Sequence, residues 1–116
     1  MSYKINEKKS YTAGPDALYQ AALAAVAGLE GKVEEEDAAA HTLQAKFDKK
    51  IHGQVLGDRT RLHVQISGNN GESQIAIEAY PIDPVGRELK FGARKGVTAK
   101  VVNWFFAHLE HQVTKT

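Results

Sequence analysis

The chain contains no cysteine among its 116 residues. That excludes a disulfide framework, a thiolate zinc site and a cysteine nucleophile. Aromatic rings make up only 8%, with one tryptophan and one methionine, and proline occurs three times. No window approaches the roughly 18 consecutive apolar residues of a membrane-spanning helix, so no membrane partner is expected. Met1 to Ser10 carries lysines at 4, 8 and 9 and no apolar run, which gives no signal peptide and makes the cytoplasm the expected address. Neither sign of charge dominates: 15 basic residues face 14 acidic ones, for a net charge of +1. Such a balance supplies no global field toward nucleic acid or an anionic membrane. There is no Gly-x-Ser-x-Gly elbow, no phosphate-cradling loop and no dinucleotide fingerprint. No motif specifies a reaction, and the reading leans away from an enzyme.

What is present is ordinary globular material. Apolar residues are 42% and charged residues 25%, near the average for a folded domain. At 12.7 kDa, a chain of this size removes about two thirds of its unfolded surface from water, enough for one core without staples. No repeat, linker or low-complexity tract divides it, so residues 1–116 read as a single domain. The charges are grouped. Glu30 and Glu34 to Asp37 form an acidic block; Arg87, Lys90, Arg94, Lys95 and Lys100 form a basic stretch.

The hydrophobic periods give the elements. Residues 3–11 alternate loosely, with Tyr3, Ile5 and Tyr11 on one parity, as in a strand. Thr12 to Asp16 then supplies a helix start: Pro15 at the first helical position, an acid in the first turn, and Thr12 or Gly14 as cap. Leu18, Ala22, Ala25, Val26 and Leu29 fall on one face of a 3.6-residue period, predicting a helix over 15–30 with Gly31 as its stop. Its alanines predict close packing on a sheet. Lys32 to Asp37 reads as a charged edge strand, followed by a turn at Ala38 to His41. Leu43, Ala45, Phe47 and Ile51 share one parity, predicting a half-buried strand with a bulge or bend at Gly53. Gly57-Asp58 reads as a hairpin turn. Leu62, Val64 and Ile66 point inward, as do Ile75, Ile77 and Ala79 across the tight turn at Gly68 to Gly71. Pro81 to Gly86 should end that strand, and Leu89 and Phe91 predict a short strand over 87–92. A last helix over about 97–113 carries Val101, Val102, Phe105, Leu109 and Val113 on one face, broadened by Trp104 and Phe106. The expected fold is α+β: an antiparallel sheet of five or six strands with both helices on one face.

This order of elements resembles small bacterial α+β domains of uncharacterised function whose fold is like one repeat of the TATA-box-binding protein. Gly14-Pro15-Asp16-Ala17-Leu18-Tyr19 before an alanine-rich helix and Leu43-Gln44-Ala45-Lys46 as first meander strand carry the resemblance. The pattern also resembles the helix-grip class, which includes polyketide-cyclase-like and plant-allergen-like ligand binders, with a long C-terminal helix across a curved antiparallel sheet. The chain has no room for the second small helix and extra strands of a full helix-grip domain, so the smaller architecture is the expected one.

Five places could carry function. The basic, glycine-rich loop with Arg87, Lys90, Arg94, Lys95 and Lys100 precedes a helix N-terminus, where backbone N–H groups and the dipole favour an anion. Its ordinary alternative is a solvated turn. Lys46, Lys50, Arg61 and His63 with Tyr80 could offer single-stranded nucleic acid a basic face with a stacking ring, but one ring among acidic and amide neighbours argues against it. His108 and His111 stand one turn apart, yet a metal needs three or four ligands, so no metal and no cofactor are expected. Asp83 between two prolines reads as a turn former. Last, Phe47, Leu62, Trp104 and Phe105 could line an apolar pocket between sheet and last helix, with the alanines at 21, 22, 24 and 25 leaving room, or simply make a packed core. The expectation drawn from these is a non-enzymatic binding module whose basic loop meets an anionic small molecule or an acidic protein surface. A homo-oligomer, with the acidic block 34–37 of one copy on the basic loop of another, is a further expected partner. The alternative is a helix-grip-like domain taking an apolar small molecule in the gap.

Overall fold

The computed structural model describes residues 3–69, 71–94 and 96–114. Among the described residues the elements follow in the order β1 (Ile5–Tyr11), α1 (Pro15–Gly28), β2 (Lys32–Asp37), β3 (Thr42–Phe47), β4 (Lys50–Ile51), β5 (Gln54–Val55), β6 (Arg59–Asn69), β7 (Glu72–Ile82) and α2 (Val97–Thr114). Five strands form one antiparallel sheet in the order β1-β7-β6-β3-β2, and β4 and β5 pair as a separate hairpin. Both helices lie on one face, and the predicted α+β class, sheet and helix placement are those observed.

Alternation fixes which face is covered. On β6, Thr60, Leu62, Val64 and Ile66 are buried while Arg61, His63 and Gln65 face the other way. β3 and β7 repeat the pattern with Leu43, Ala45, Phe47 and Ile75, Ile77, Ala79. From α2 the core receives Val101, Val102, Phe105, Phe106 and Leu109; from α1 it receives Leu18, Tyr19, Ala21, Ala22, Ala25 and Val26. The alanine-bearing helix packs on β2, β6 and β7, as expected, and on α2 as well. α1 lies chiefly along α2, and at Gly28 the approach is so close that a Cβ would sit 2.9 Å from His108 Nδ1.

Gly14 is the cap of α1, with Pro15 following it. The helix ends at Gly28, and Glu30 takes the left-handed conformation with φ of 61°. Gly31 is therefore not the stop. It is needed for space, since a Cβ there would stand 2.5 Å from the Phe47 ring. Gly53 makes no bulge: His52 (φ 50°) and Gly53 (φ 80°) form the turn of the β4–β5 hairpin, a two-residue loop that needs positive φ at both positions. Gly57-Asp58 is consequently the exit from that hairpin, not a hairpin turn itself. The strand expected to run from Leu43 to Ile51 stops at Phe47.

β7 does not end before Pro81; it continues to Ile82. The Pro81 carbonyl accepts a bond from the Leu89 N–H at 2.8 Å. Its ring nitrogen faces the same side, where β1 has already ended at Ile5, so no donor is required there. The strand expected over 87–92 reduces to a single bridge, Ile82 with Glu88, and Phe91 points into solvent at 83% exposure instead of alternating inward.

Candidate functional site

The two faces of the sheet differ in chemistry. On the helix side, Phe47, Leu62 and Phe105 are fully buried, and Trp104 is half-buried at the margin. These sequence-predicted pocket residues thus lie in the gap, and the gap is packed around them. Leu56 and Val97 of the same core also border a cavity. That cavity, of about 320 Å³, is lined by Val55, Leu56, Arg94, Gly96, Val97 and Lys100. This is the mouth between the β4–β5 hairpin and the first turn of α2. Its volume is at the lower bound of a small-molecule site, about 300 Å³.

The walls of the mouth are held from both sides. The hairpin tip is tied to the end of α1: the His52 N–H donates to Glu30 Oε1 at 2.6 Å, and His52 Nε2 lies 2.6 Å from the Gly28 carbonyl. On the other side, Asp58 Oδ2 accepts the backbone N–H of Arg94 at 2.5 Å, and Arg94 Nη1 reaches the Gly57 carbonyl at 3.4 Å. The Asp58 side chain is 10% exposed, against 66% for Arg94. Asp58 is thus a latch between the hairpin exit and the segment leading into α2. Glycine at 57 is required, because φ is 99° and a Cβ would lie 2.5 Å from the Arg94 side chain. Sequence reasoning missed Asp58, since nothing local distinguishes it from a turn former; only its partner 36 residues away does.

Two of the basic residues come together. Arg94 and Lys100 flank the mouth, where Lys100 Nζ stands 6.0 Å from the Trp104 ring centre. Arg87 lies on the preceding loop, 3.4 Å from Asp83. Lys90 is exposed, and Lys95 lies outside the described residues. Asp83 is the turn former expected: its carboxylate accepts the N–H groups of Val85 and Arg87 at 2.9 and 3.0 Å. Those backbone donors to the anion hold its pKa below the usual range.

The open face of the sheet is polar and internally paired. Arg61 Nε lies 3.1 Å from Glu34 Oε1, and Arg61 Nη1 donates to the Gly86 carbonyl at 2.6 Å. Gln44 donates to the same Glu34 oxygen at 3.1 Å. Partial burial alone would raise the Glu34 pKa, but the Arg61 and Gln44 hydrogen bonds outweigh it and the net direction is down; the bond from Glu34 likewise raises Arg61. His63 meets the Tyr80 hydroxyl at 3.0 Å. A shallow, 670 Å³ hollow on this face is walled by Glu35, Glu36, Asp37 and Glu78. Arg61 is paired with Glu34, and Lys50 is on the separate hairpin. His108 lies against Gly28 and His111 is exposed; no group of three or more metal-ligating side chains occurs among the described residues.

No family model and no curated protein matches the chain. Solved structures do. Ara h 8.0201 superposes with a TM-score of 0.63 at 12% identity, over 98% of this chain and 99% of that one. Two di-domain ARO/CYC proteins also match. BexL, from the BE-7585A biosynthetic pathway, gives 0.60 at 10% identity over 96% of this chain, and StfQ, from the steffimycin pathway, gives 0.61 at 5% identity over 90%. This chain spans 46% and 43% of their respective lengths. Identities this low establish the fold alone, and that fold corrects two expectations. The TATA-box-binding-protein-like resemblance is overturned, because the matched chains have the helix-grip arrangement. The basic loop as working surface falls with it, its arginines being engaged by Asp83 and Asp58. The chain has the Bet v 1-like helix-grip fold.

Proposed function

We propose that this protein binds an apolar small molecule between the sheet and α2, admitted through the mouth between the β4–β5 hairpin and the first turn of α2. The observation that carries this reading is the cavity at that mouth, which abuts the gap through Leu56 and Val97. Val55 on its rim is 72% exposed, a large apolar side chain left in water where a ligand would pass. The fold supports the same location, since the helix-grip class as a whole includes ligand binders that use this gap. Of the buried polar side chains among the described residues, Thr60, Ser73 and Thr98, Ser73 is spent on the Ala13 carbonyl, so a ligand there meets mainly hydrocarbon walls. The gap is filled in the free form, so binding requires α2 or the hairpin to yield, and the Asp58–Arg94 latch sets how readily it does.

A fluorescence titration with N-phenyl-1-naphthylamine, a neutral apolar dye, tests the proposal. Saturable enhancement at one dye per chain is expected, with slower association in Leu56→Trp, which plugs the mouth. Absence of saturable enhancement up to the dye's solubility would remove the proposal.

A further inference from the structure

Thr60 stands out on the helix side of the sheet. Its residue is 0% exposed, and its Oγ1 is the buried side-chain oxygen without a hydrogen-bond partner among the described residues. It lies between Phe47 on β3 and Pro81 on β7, sharing the inward parity of Leu62, Val64 and Ile66. It is also four residues beyond Leu56, at the base of the hairpin that frames the mouth. A buried hydroxyl left unpaired forfeits its bonds to water and receives nothing in return. Valine has the same shape and would remove that cost. Threonine at this position therefore weakens the free protein while offering one donor and two acceptor lone pairs on the ligand side.

We propose that Thr60 Oγ1 is the polar anchor of the ligand site: it receives a neutral hydrogen-bonding group, a hydroxyl or carbonyl, on an otherwise apolar ligand. This rests on the proposed use of the gap and narrows it to a ligand class. The group is neutral because Phe47, Leu62 and Pro81 around Thr60 offer no counter-charge, and an unpaired charge buried among them would be expelled. The cations of the region, Arg94 and Lys100, line the outer mouth. The partner 3 Å or so from Oγ1 need only be a single oxygen, with ring or chain atoms filling the rest.

Two probes of nearly equal shape separate the possibilities: 2-naphthol and 2-methylnaphthalene. The readout is the ratio of their dissociation constants, measured by competition against N-phenyl-1-naphthylamine in the whole chain. Between the natural protein and Thr60→Val this ratio is expected to shift about tenfold against 2-naphthol, the worth of one lost hydrogen bond in a desolvated site. Thr60→Ser, which keeps the hydroxyl, should retain most of the natural ratio. Thr60→Val should also melt at or above the natural temperature, since it removes an unpaired group. A ratio unchanged in Thr60→Val, with both probes still bound, overturns the anchor while leaving the gap as a ligand site. A lower melting temperature in Thr60→Val shows that the hydroxyl is satisfied in the free protein, and overturns it equally. If neither probe nor the dye binds the natural protein, the use of the gap itself falls, and the anchor with it.

Discussion

Two neighbouring rows cross the same three strands one residue apart. On the open face runs Lys46, Arg61, Tyr80; on the helix face runs Phe47, Thr60, Pro81. In the first row two of the three polar side chains have partners: Arg61 has Glu34 and the Gly86 carbonyl, and Tyr80 has His63. In the second, two hydrocarbon surfaces flank a hydroxyl with no partner among the described residues. The chain therefore satisfies polar groups where water could have done so, and leaves one unsatisfied where water cannot reach. A fold under pressure for stability alone would do the reverse. The comparison sets a face whose pairs hold the sheet together against a face that carries the hydroxyl proposed as a ligand anchor.

The largest effect should come from emptying the helix face. Phe105→Ala removes a fully buried ring and is expected to cost about 3–5 kcal/mol in denaturant unfolding. Next, Arg61→Ala on the open face leaves Glu34 without its cation and the Gly86 carbonyl without its donor. Both side chains of the pair keep about a fifth of their exposure (19% and 24%), so a cost of about 1–3 kcal/mol is expected.

The same pair gives an acid limb. Glu34 has a folded pKa below its ordinary value of 4.5. Its contribution is thus fully present well above pH 4.5 and is lost as pH falls through that value toward the lower folded one. Melting temperature against pH should lose this limb in Glu34→Gln. Retention of the full limb in that variant would assign it to another carboxylate.

Asp58→Ala opens the mouth. It should cost only about 1 kcal/mol, because Arg94 is two thirds exposed (66%) and can turn to water, yet stopped-flow mixing should show faster dye association. Smallest of all is Arg87→Ala. Its side chain is 79% exposed, and both stability and dye affinity should stay within about 0.5 kcal/mol of the natural protein. A marked loss of dye affinity in this variant alone would return the basic loop to consideration.

Much of the architecture was legible because burial is written as period. Alternation at Leu62, Val64, Ile66 and at Ile75, Ile77, Ala79 gives the sheet faces, and the 3.6-residue spacing from Val101 to Leu109 gives α2. What failed were the positions where tertiary space decides. Gly31 looks like a helix stop, but the Phe47 ring is what demands it. Pro81 looks like a strand end, and only the early end of β1 makes it tolerable. Phe91 carries an inward parity that no partner strand enforces, and it stands in water. The site was half legible. Phe47, Leu62 and Phe105 are apolar at the right period and are buried in the core between sheet and α2. Thr60 was invisible, since threonine is a good strand residue and nothing in the sequence says that its hydroxyl lacks a partner. Asp58 was invisible for the opposite reason, its partner lying far along the chain. The charge run at 87–100 divides in space: Arg94 and Lys100 border the mouth, while Arg87 pairs with Asp83 on the preceding loop.

The most direct test is a backbone amide NMR titration of the natural protein with N-phenyl-1-naphthylamine, reading which face of the sheet responds. The account expects saturable shifts at Leu56, Val97, Val101 and Phe105 and along the Phe47–Thr60–Pro81 row, with Gln44, His63 and Glu78 nearly still. Shifts concentrated at Gln44, His63 and Glu78, with α2 unmoved, would place the ligand on the open face and contradict it.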